Sequence, residues 1–245
     1  MYQMDGKVAI VTGGAAGIGY AIAERLLEEN VIVAICDIAE ERLAKAAETL
    51  SAKGTVYYEV LDISKYDDVL AFVKNVHDKF GHIDFLMNNA AIIKDAQFYK
   101  MDIENFRKVI EVDLMGTVYM CKACVPYMME QHYGKIVNCS SVAAFSGNFG
   151  QTNYSAAKGA VVSMTKTMGK ELLKHGINVN VIIPGACMTD MVMQIPEEIR
   201  EKKAQTLPAR RWGTPRELAN AYVFLASEQA TWISGTSLLV DGGYL

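Results

Sequence analysis

Tyr154 and Lys158 stand four residues apart in the run Tyr154-Ser155-Ala156-Ala157-Lys158. In a helix that spacing puts both side chains on one face. A free phenol titrates near ~10 and is a poor base at neutral pH. A neighbouring ammonium favours the phenolate and lowers that value. Such a pair can exchange a proton with an alcohol or a ketone. A Tyr and a Lys also fall at this spacing by chance in many helices, so the pair decides nothing alone. The apolar run Lys135–Cys139, ending in Ser140-Ser141, lies just upstream.

A second constellation sits near the start of the chain. The run Val8–Thr12 leads into Gly13-Gly14-Ala15-Ala16-Gly17-Ile18-Gly19, where a helical pattern begins. Glycines at 13, 17 and 19 permit a tight turn and let backbone N–H groups near Ile18 approach a pyrophosphate, helped by the positive end of the helix. The next apolar run closes on an acid, Asp37. A carboxylate there can accept both hydroxyls of an adenosine ribose. It would repel a 2′-phosphate: like charges ~4 Å apart cost up to ~4 kcal/mol at an effective dielectric near 20, before screening. Positions 14–16 and 38 hold no Lys or Arg to offset this. These residues point to NAD rather than NADP. The competing readings are an ordinary strand–helix turn with packing glycines and a solvated strand-end acid.

The elements that must position these groups follow from hydrophobic pattern. Strands are expected at Val8–Thr12, Val31–Cys36, Thr55–Leu61, Ile83–Asn88, Lys135–Cys139, Asn178–Ile183 and Ser237–Val240. Most are continuously apolar, as in strands covered on both faces. Helices are expected near 17–29, 40–53, 66–80, 102–132, 153–174 and 215–226, with Gly81, Gly134 and Gly176 just past helix ends. This alternation implies an α/β fold: one doubly wound, Rossmann-like, mostly parallel seven-stranded sheet with helices on both faces. Residues 1–245 read as a single domain. The irregular segment 187–212 reads as a short helical flap over a site. In such sheets the ligand crevice lies at the carboxyl ends of the strands, and the residues named above fall there.

Composition narrows the function classes. A chain of 245 residues, 51% hydrophobic and 21% charged, is that of a globular protein, and a net charge of −4 argues against nucleic acid as partner. No apolar run reaches the roughly 18 residues of a membrane helix, and residues 1–5 show no signal-peptide pattern, so a cytoplasmic location is expected. Five cysteines, an odd number, fit buried thiols better than disulfides. The Cys121-x-x-Cys124 pair lacks a second ligand pair, and the four histidines lack metal-ligand spacing. No metal is expected.

Taken in order, TGxxxGxG at 12–19, Asp37, Asn88-Asn89-Ala90-Ala91, Ser141, Tyr154, Lys158, and Pro184-Gly185 with Thr189 resemble a classical short-chain dehydrogenase/reductase over essentially the whole chain, down to Asp241-Gly242-Gly243. The resemblance implies Tyr154 as general acid/base, Ser141 as hydrogen-bond donor to the substrate oxygen, and Lys158 on the nicotinamide ribose. It implies adenine contacts at Asp62 and Ile63, ribose contacts at Asn89 and Ala90, and a carboxamide contact at Thr189 past Pro184 and Gly185. Ile63 as plain core and Thr189 as a helix cap remain alternatives. Three positions depart from the family pattern. Asp113, in Asp113-Leu114-Met115-Gly116, replaces the Asn that completes the catalytic group and relays protons through a water. A carboxylate accepts but cannot donate unless protonated. Either it is protonated, or it pairs with a donor, or the relay is altered, with the main-chain carbonyl of Asp113 holding the water site. Ala91 replaces a Gly, and Cys187 stands where relatives carry Ile or Val beside the nicotinamide.

The expected substrate pocket, Val142, Ala143, Phe145, Phe149, Met188, Met191 and Met193, is apolar and Met-rich. It fits a bulky or apolar secondary alcohol or ketone: a hydroxysteroid, a 3-oxoacyl thioester or a cyclic alcohol. Packing of the flap accounts for the methionines equally well. Relatives acting on acyl-carrier-protein substrates tend to use NADP and carry arginines near the site mouth; His132, His175 and Asp37 here count against that role. The resemblance also implies a homotetramer, with 102–132 and 153–174 in one interface and the last strand with 215–226 in the other. An NAD-binding sensor or structural subunit without turnover is the alternative function.

Overall fold

The computed structural model describes residues 2–193 and 196–245, without the side chains of Asp190 and Met191. Seven strands form one sheet: β1 (Val8–Thr12), β2 (Ile32–Asp37), β3 (Val56–Val60), β4 (Phe85–Met87), β5 (Gly134–Cys139), β6 (Ile177–Pro184) and β7 (Ser237–Val240). Their spatial order is β3-β2-β1-β4-β5-β6-β7. Every pairing is parallel, where the sequence pointed only to a mostly parallel sheet.

The continuous apolar runs are explained by burial on both sides, because successive side chains point to opposite faces. Ala9, Val11, Val33 and Ile35 pack on one core with α1 (Gly17–Glu28), α2 (Glu40–Ser51) and α10 (Pro215–Ala226). Val8, Ile10, Ala34 and Cys36 pack on the other with α3 (Tyr66–Phe80) and α5 (Thr117–Glu130). From β1 the chain winds outward to β2 and β3, then returns to lay β4 on the other side of β1. That reversal opens a crevice at the carboxyl ends of β1 and β4.

The expected helix 102–132 is three pieces: α4 (Ile103–Val109), a π-helical stretch Ile110–Gly116, and α5. Hydrophobic periodicity does not distinguish a π turn inside a helix from an α one. The side chains do. Thr117 Oγ1 donates to the Asp113 carbonyl at 2.9 Å, and a methyl on Gly116 would lie 2.7 Å from the Ile63 side chain. The remaining helices are α6 (Ala143–Ser146), α7 (Thr152–Leu172), α8 (Asp190–Met193) and α9 (Glu197–Thr206), the last two within the expected flap.

Gly134 does not end a helix. It opens β5, and the left-handed turn falls on His132 at φ 52°. Glycine is needed at 134 because a Cβ would meet Met128 Sδ at 2.6 Å. Gly81 and Gly176 follow helix ends at φ 81° and 77°, as expected. Among the described residues no helix is long and apolar enough to cross a membrane, and no group of three metal-ligating side chains forms.

Candidate active site

The turn after β1 is stitched to the loop after β4. Thr12 Oγ1 accepts the N–H groups of Asn89 and Ala90, both at 3.0 Å, and Asn89 Nδ2 donates to the Thr12 carbonyl at 3.3 Å. Gly13 adopts φ 67°. A Cβ on Gly19 would lie 2.0 Å from the Gly13 carbonyl oxygen and 2.8 Å from Asn89 Nδ2. Ala16 precedes α1 and has no side chain to cap it, so the leading N–H groups of a twelve-residue helix are left to meet an anion. These features fit a dinucleotide pyrophosphate. Gly19→Ala should cost about 1–3 kcal/mol through this clash, and nucleotide affinity should fall with it. Thermal melting beside a nucleotide titration checks this; an unchanged melting point and affinity would contradict the close approach.

Asp37 ends β2 with its carboxylate held by two backbone donors: Ala15 N at 3.3 Å on Oδ2 and Ala39 N at 3.0 Å on Oδ1. Each oxygen retains acceptor capacity for a ribose hydroxyl. Asp62 is held by Ser64, from its N–H at 3.0 Å and its hydroxyl at 2.6 Å. Burial works against that carboxylate, but the Ser64 hydrogen bonds and Lys108 outweigh it and hold its pKa below the usual value. Ile63 both packs against Gly116 and lines the cleft.

Tyr154 and Lys158 lie on α7, and Ser141 lies two residues past the end of β5. The start of α7 is clamped: the buried Asn153 accepts the Tyr154 N–H at 2.8 Å and donates to the Lys94 carbonyl at 2.9 Å. Ser141 Oγ accepts the Ala143 N–H at 3.1 Å, leaving its own proton to donate outward. Lys158 Nζ is 5.5 Å from the Tyr154 ring centre and donates to the Cys139 carbonyl at 3.2 Å. Burial is the largest influence on Tyr154 and pushes its phenol up; Lys158 pulls it down, Cys139 and Asp113 push it up, and Ser141 pulls it down. The net direction is upward, so the expected lowering by Lys158 is present but outweighed. Burial opposes the Lys158 ammonium, yet Asp113 and Tyr154 more than offset this and hold its pKa above the ordinary lysine value.

Asp113 is fully buried behind Lys158 and does not line the cleft. Its Oδ1 accepts the Ile92 N–H at 2.9 Å, and Oδ2 is 3.7 Å from Lys158 Nζ. The side chain thus has one hydrogen-bond donor, the Ile92 N–H at Oδ1, with the Lys158 ammonium standing off Oδ2. Its main-chain carbonyl accepts the Thr117 hydroxyl.

The cleft holds about 750 Å³. It gathers Gly13, Gly17, Ile18, Asp37, Asp62, Ile63, Asn89, Ala90, Ser141, Tyr154, Lys158, Pro184, Gly185, Cys187 and Thr189 on one surface. Gly19 lies behind it, as structural support for the turn. Gly185 must be glycine because a Cβ would meet Asp241 Cα at 2.6 Å. Burial pushes the Cys187 thiol up to about 12, which makes it a poor nucleophile. Cys121 and Cys124 are buried packing residues whose thiols burial also pushes up.

The Met-rich pocket is corrected. Val142 and Ala143 line the cleft, but Phe145 and Phe149 are 54% and 84% exposed and lie outside it. Met188 and Met193 turn instead toward the Arg200 guanidinium, at 3.8 and 3.0 Å. The Met191 side chain lies outside the described residues. In their place stand Ser146, Asn148, Gln151, Val192, Leu207 and Trp212, with Arg42, Lys108 and Lys203 also lining the cleft. Gln151 donates to Asp95 at 3.0 and 3.2 Å and accepts from Asn148 at 2.9 Å. Arg42 follows Asp37 by five residues on α2, a spacing that could have flagged it; nothing local flags Gln151.

A family model described as enoyl-(acyl carrier protein) reductase matches residues 13–245. The 3-oxoacyl-(acyl-carrier-protein) reductase FabG of Thermotoga maritima is 41% identical over 244 residues, covering 98% of both chains. The chain belongs to the classical short-chain dehydrogenase/reductase family. As a family member it is an oxidoreductase acting on a ketone or alcohol with a nicotinamide cofactor. FabG of Vibrio harveyi is 38% identical over 241 residues, again covering 98% of each chain. Among solved structures, levodione reductase superposes with a TM-score of 0.94 at 31% identity, over 98% of this chain and 97% of the other. Relatives of this dehydrogenase/reductase thus share its whole length and its fold.

Proposed function

We propose that the protein reduces a ketone to a secondary alcohol, or runs the reverse, with NAD(H) as partner. The observation that carries this is Lys158 beneath Tyr154, with Ser141 beside them, in the cleft that also holds Asp37 and the glycine turn. When bound, the nicotinamide supplies or accepts the hydride. Tyr154 donates its hydroxyl proton to the substrate oxygen, Ser141 holds that oxygen by hydrogen bond, and Lys158 stabilises the phenolate left behind. Because Tyr154 is pushed upward, it rests protonated at neutral pH, the state that reduction needs.

Among the expected substrates, a 3-oxoacyl thioester is favoured. The Asn148 carboxamide in the cleft, held by Gln151, suits a substrate with a second polar group near the reacting carbonyl, and the apolar Val142, Leu207 and Trp212 suit an acyl chain. The FabG relatives are named for such a substrate. Segment 187–212 serves as the flap, and residues 1–245 act as one domain. A homotetramer follows the family expectation, supported by exposed apolar side chains on the proposed faces, Leu239 on β7 and Leu173 after α7.

The test is a panel of 3-oxoacyl thioesters, hydroxysteroids and cyclic alcohols, followed through the reduced-nicotinamide absorbance with NAD(H) and NADP(H). NAD(H) binding without turnover of any of them would favour a sensor or structural subunit. A kcat/KM with NADP above that with NAD would overturn the cofactor preference. Asp37→Ser removes the repelling carboxylate and leaves Arg42 at the same end of the cleft. It should raise the NADP-to-NAD ratio about tenfold or more, which needs only ~1.4 kcal/mol; an unchanged ratio would show that Asp37 does not discriminate.

A further inference from the structure

Asp113 is an acid where the family pattern has an amide, and among the described residues it is the one carboxylate paired with Lys158. Among the described residues its Oδ2 has no hydrogen-bond partner, and it stands 3.7 Å from the equally buried Lys158 Nζ. Its Oδ1 is tied to the Ile92 N–H at 2.9 Å, so the group cannot swing away without breaking the tether to the loop after β4. A buried carboxylate is costly unless a charge partner stands by, and Lys158 is that partner. Lys158 in turn donates to a neutral acceptor, the Cys139 carbonyl.

We infer that the Asp113 carboxylate is a fixed counter-ion to Lys158, and through that charge sets the pH at which Tyr154 takes up and releases its proton. This rests on the reading of Tyr154 as the acid/base. Asp113 touches neither cleft nor substrate, so it is a positioning residue acting through Lys158.

The sign follows from the charges around Tyr154. From its own helix it faces Lys158; from the end of β5, the Cys139 thiol and the Ser141 hydroxyl; from α10, the Tyr222 phenol; and from the π-helical stretch, Asp113. Lys158 is the one cation among these. An ammonium alone pulls the phenol down strongly, whereas an ammonium beside a carboxylate is nearly neutral at a distance and pulls it less. With Asp113 in place, Tyr154 stays protonated to higher pH. Asn in the same place keeps the acceptor for Ile92 and removes the charge.

The experiment compares wild type, Asp113→Asn and Asp113→Ser by two readouts. The first is the pH profile of kcat/KM in both directions. The second is NMR titration of isotope-labelled tyrosine, with the Tyr154 signal assigned by its loss in Tyr154→Phe; it needs neither substrate nor turnover. Both uncharged variants should titrate Tyr154 at lower pH. On the acid limb of alcohol oxidation they should run about threefold or more faster than wild type, the change a limb shift of about half a unit gives. On the alkaline limb of ketone reduction they should run slower by a similar factor. Coincident NMR titrations in wild type and whichever variant folds would overturn the counter-ion role, whatever the activity does. A shifted NMR titration with a rate profile that ignores it would leave the counter-ion standing and count against Tyr154 as acid/base. A variant that moves neither the NMR titration nor either limb but melts earlier would reduce Asp113 to a structural tether and also overturn the inference.

Discussion

Tyr154→Phe should leave a folded protein that binds NAD(H) and turns over about three orders of magnitude more slowly. The phenyl ring refills the place of the tyrosine ring, and the backbone of α7 is held at this point by Asn153 rather than by the phenol. What disappears is the proton at the head of the cleft. Positioned general acid/base groups contribute about 10²–10⁴ in rate, or roughly 3–5 kcal/mol of barrier. The loss should fall on kcat rather than on nucleotide affinity, because the glycine turn and Asp37 lie at the other end of the cleft. Ser141 and Lys158 remain, and Ser141 can still polarise a carbonyl, which sets the residual rate. A variant within threefold of wild type would remove Tyr154 from the chemistry.

Lys158→Met should lose activity and also stability, a different signature. Met refills the buried stem, but Asp113 then faces no cation. Breaking a buried pair by removing one member costs about 3–5 kcal/mol, which in a chain of this length lowers the melting point by roughly 10 °C. The pH dependence has a definite sign. Burial already pushes the Asp113 carboxyl above its ordinary value, against the pull of Lys158; without that pull it rises further. A group whose pKa is raised on folding contributes stability below its unfolded value and loses it as pH climbs through the folded value. The melting deficit of Lys158→Met should therefore be small in the ordinary carboxylate range and grow toward neutral pH. Adding Asp113→Asn should recover most of the stability and none of the activity, the non-additivity expected of groups in contact. Melting curves against pH for the two single variants and the double variant check this. A deficit that is flat with pH would mean that no buried charge was uncovered.

Much of this architecture is legible from residue types alone. β1 and β7 fall at the expected residues, because sharp turns and glycines bound their apolar runs. The Tyr154–Lys158 spacing, Ser141 after β5 and Asp37 after β2 carry their own positions once strand ends are placed, and the cleft collects them. What was not legible depends on contacts between distant segments. The π stretch at 110–116 shares its hydrophobic pattern with a plain helix, and the Thr117 bond and the tight fit of Gly116 to Ile63 accompany it. The fate of Met188 and Met193 depends on Arg200 reaching back across the flap. The part played by Gln151 depends on Asp95, fifty-six residues earlier. Gly134 shows the same limit: its glycine answers to Met128, not to a helix end.

The most direct test mixes NADH with 3-oxoacyl thioesters of increasing chain length and compares wild type with Tyr154→Phe in one assay. Nucleotide binding is followed by fluorescence and turnover by the loss of the reduced-nicotinamide band. Binding should be equal in the two proteins, with turnover in wild type and a loss of at least about a hundredfold in the variant. Equal turnover in both, or binding in both with turnover in neither across the panel of ketones and alcohols, would contradict a hydride-transfer site built on Tyr154, Ser141 and Lys158.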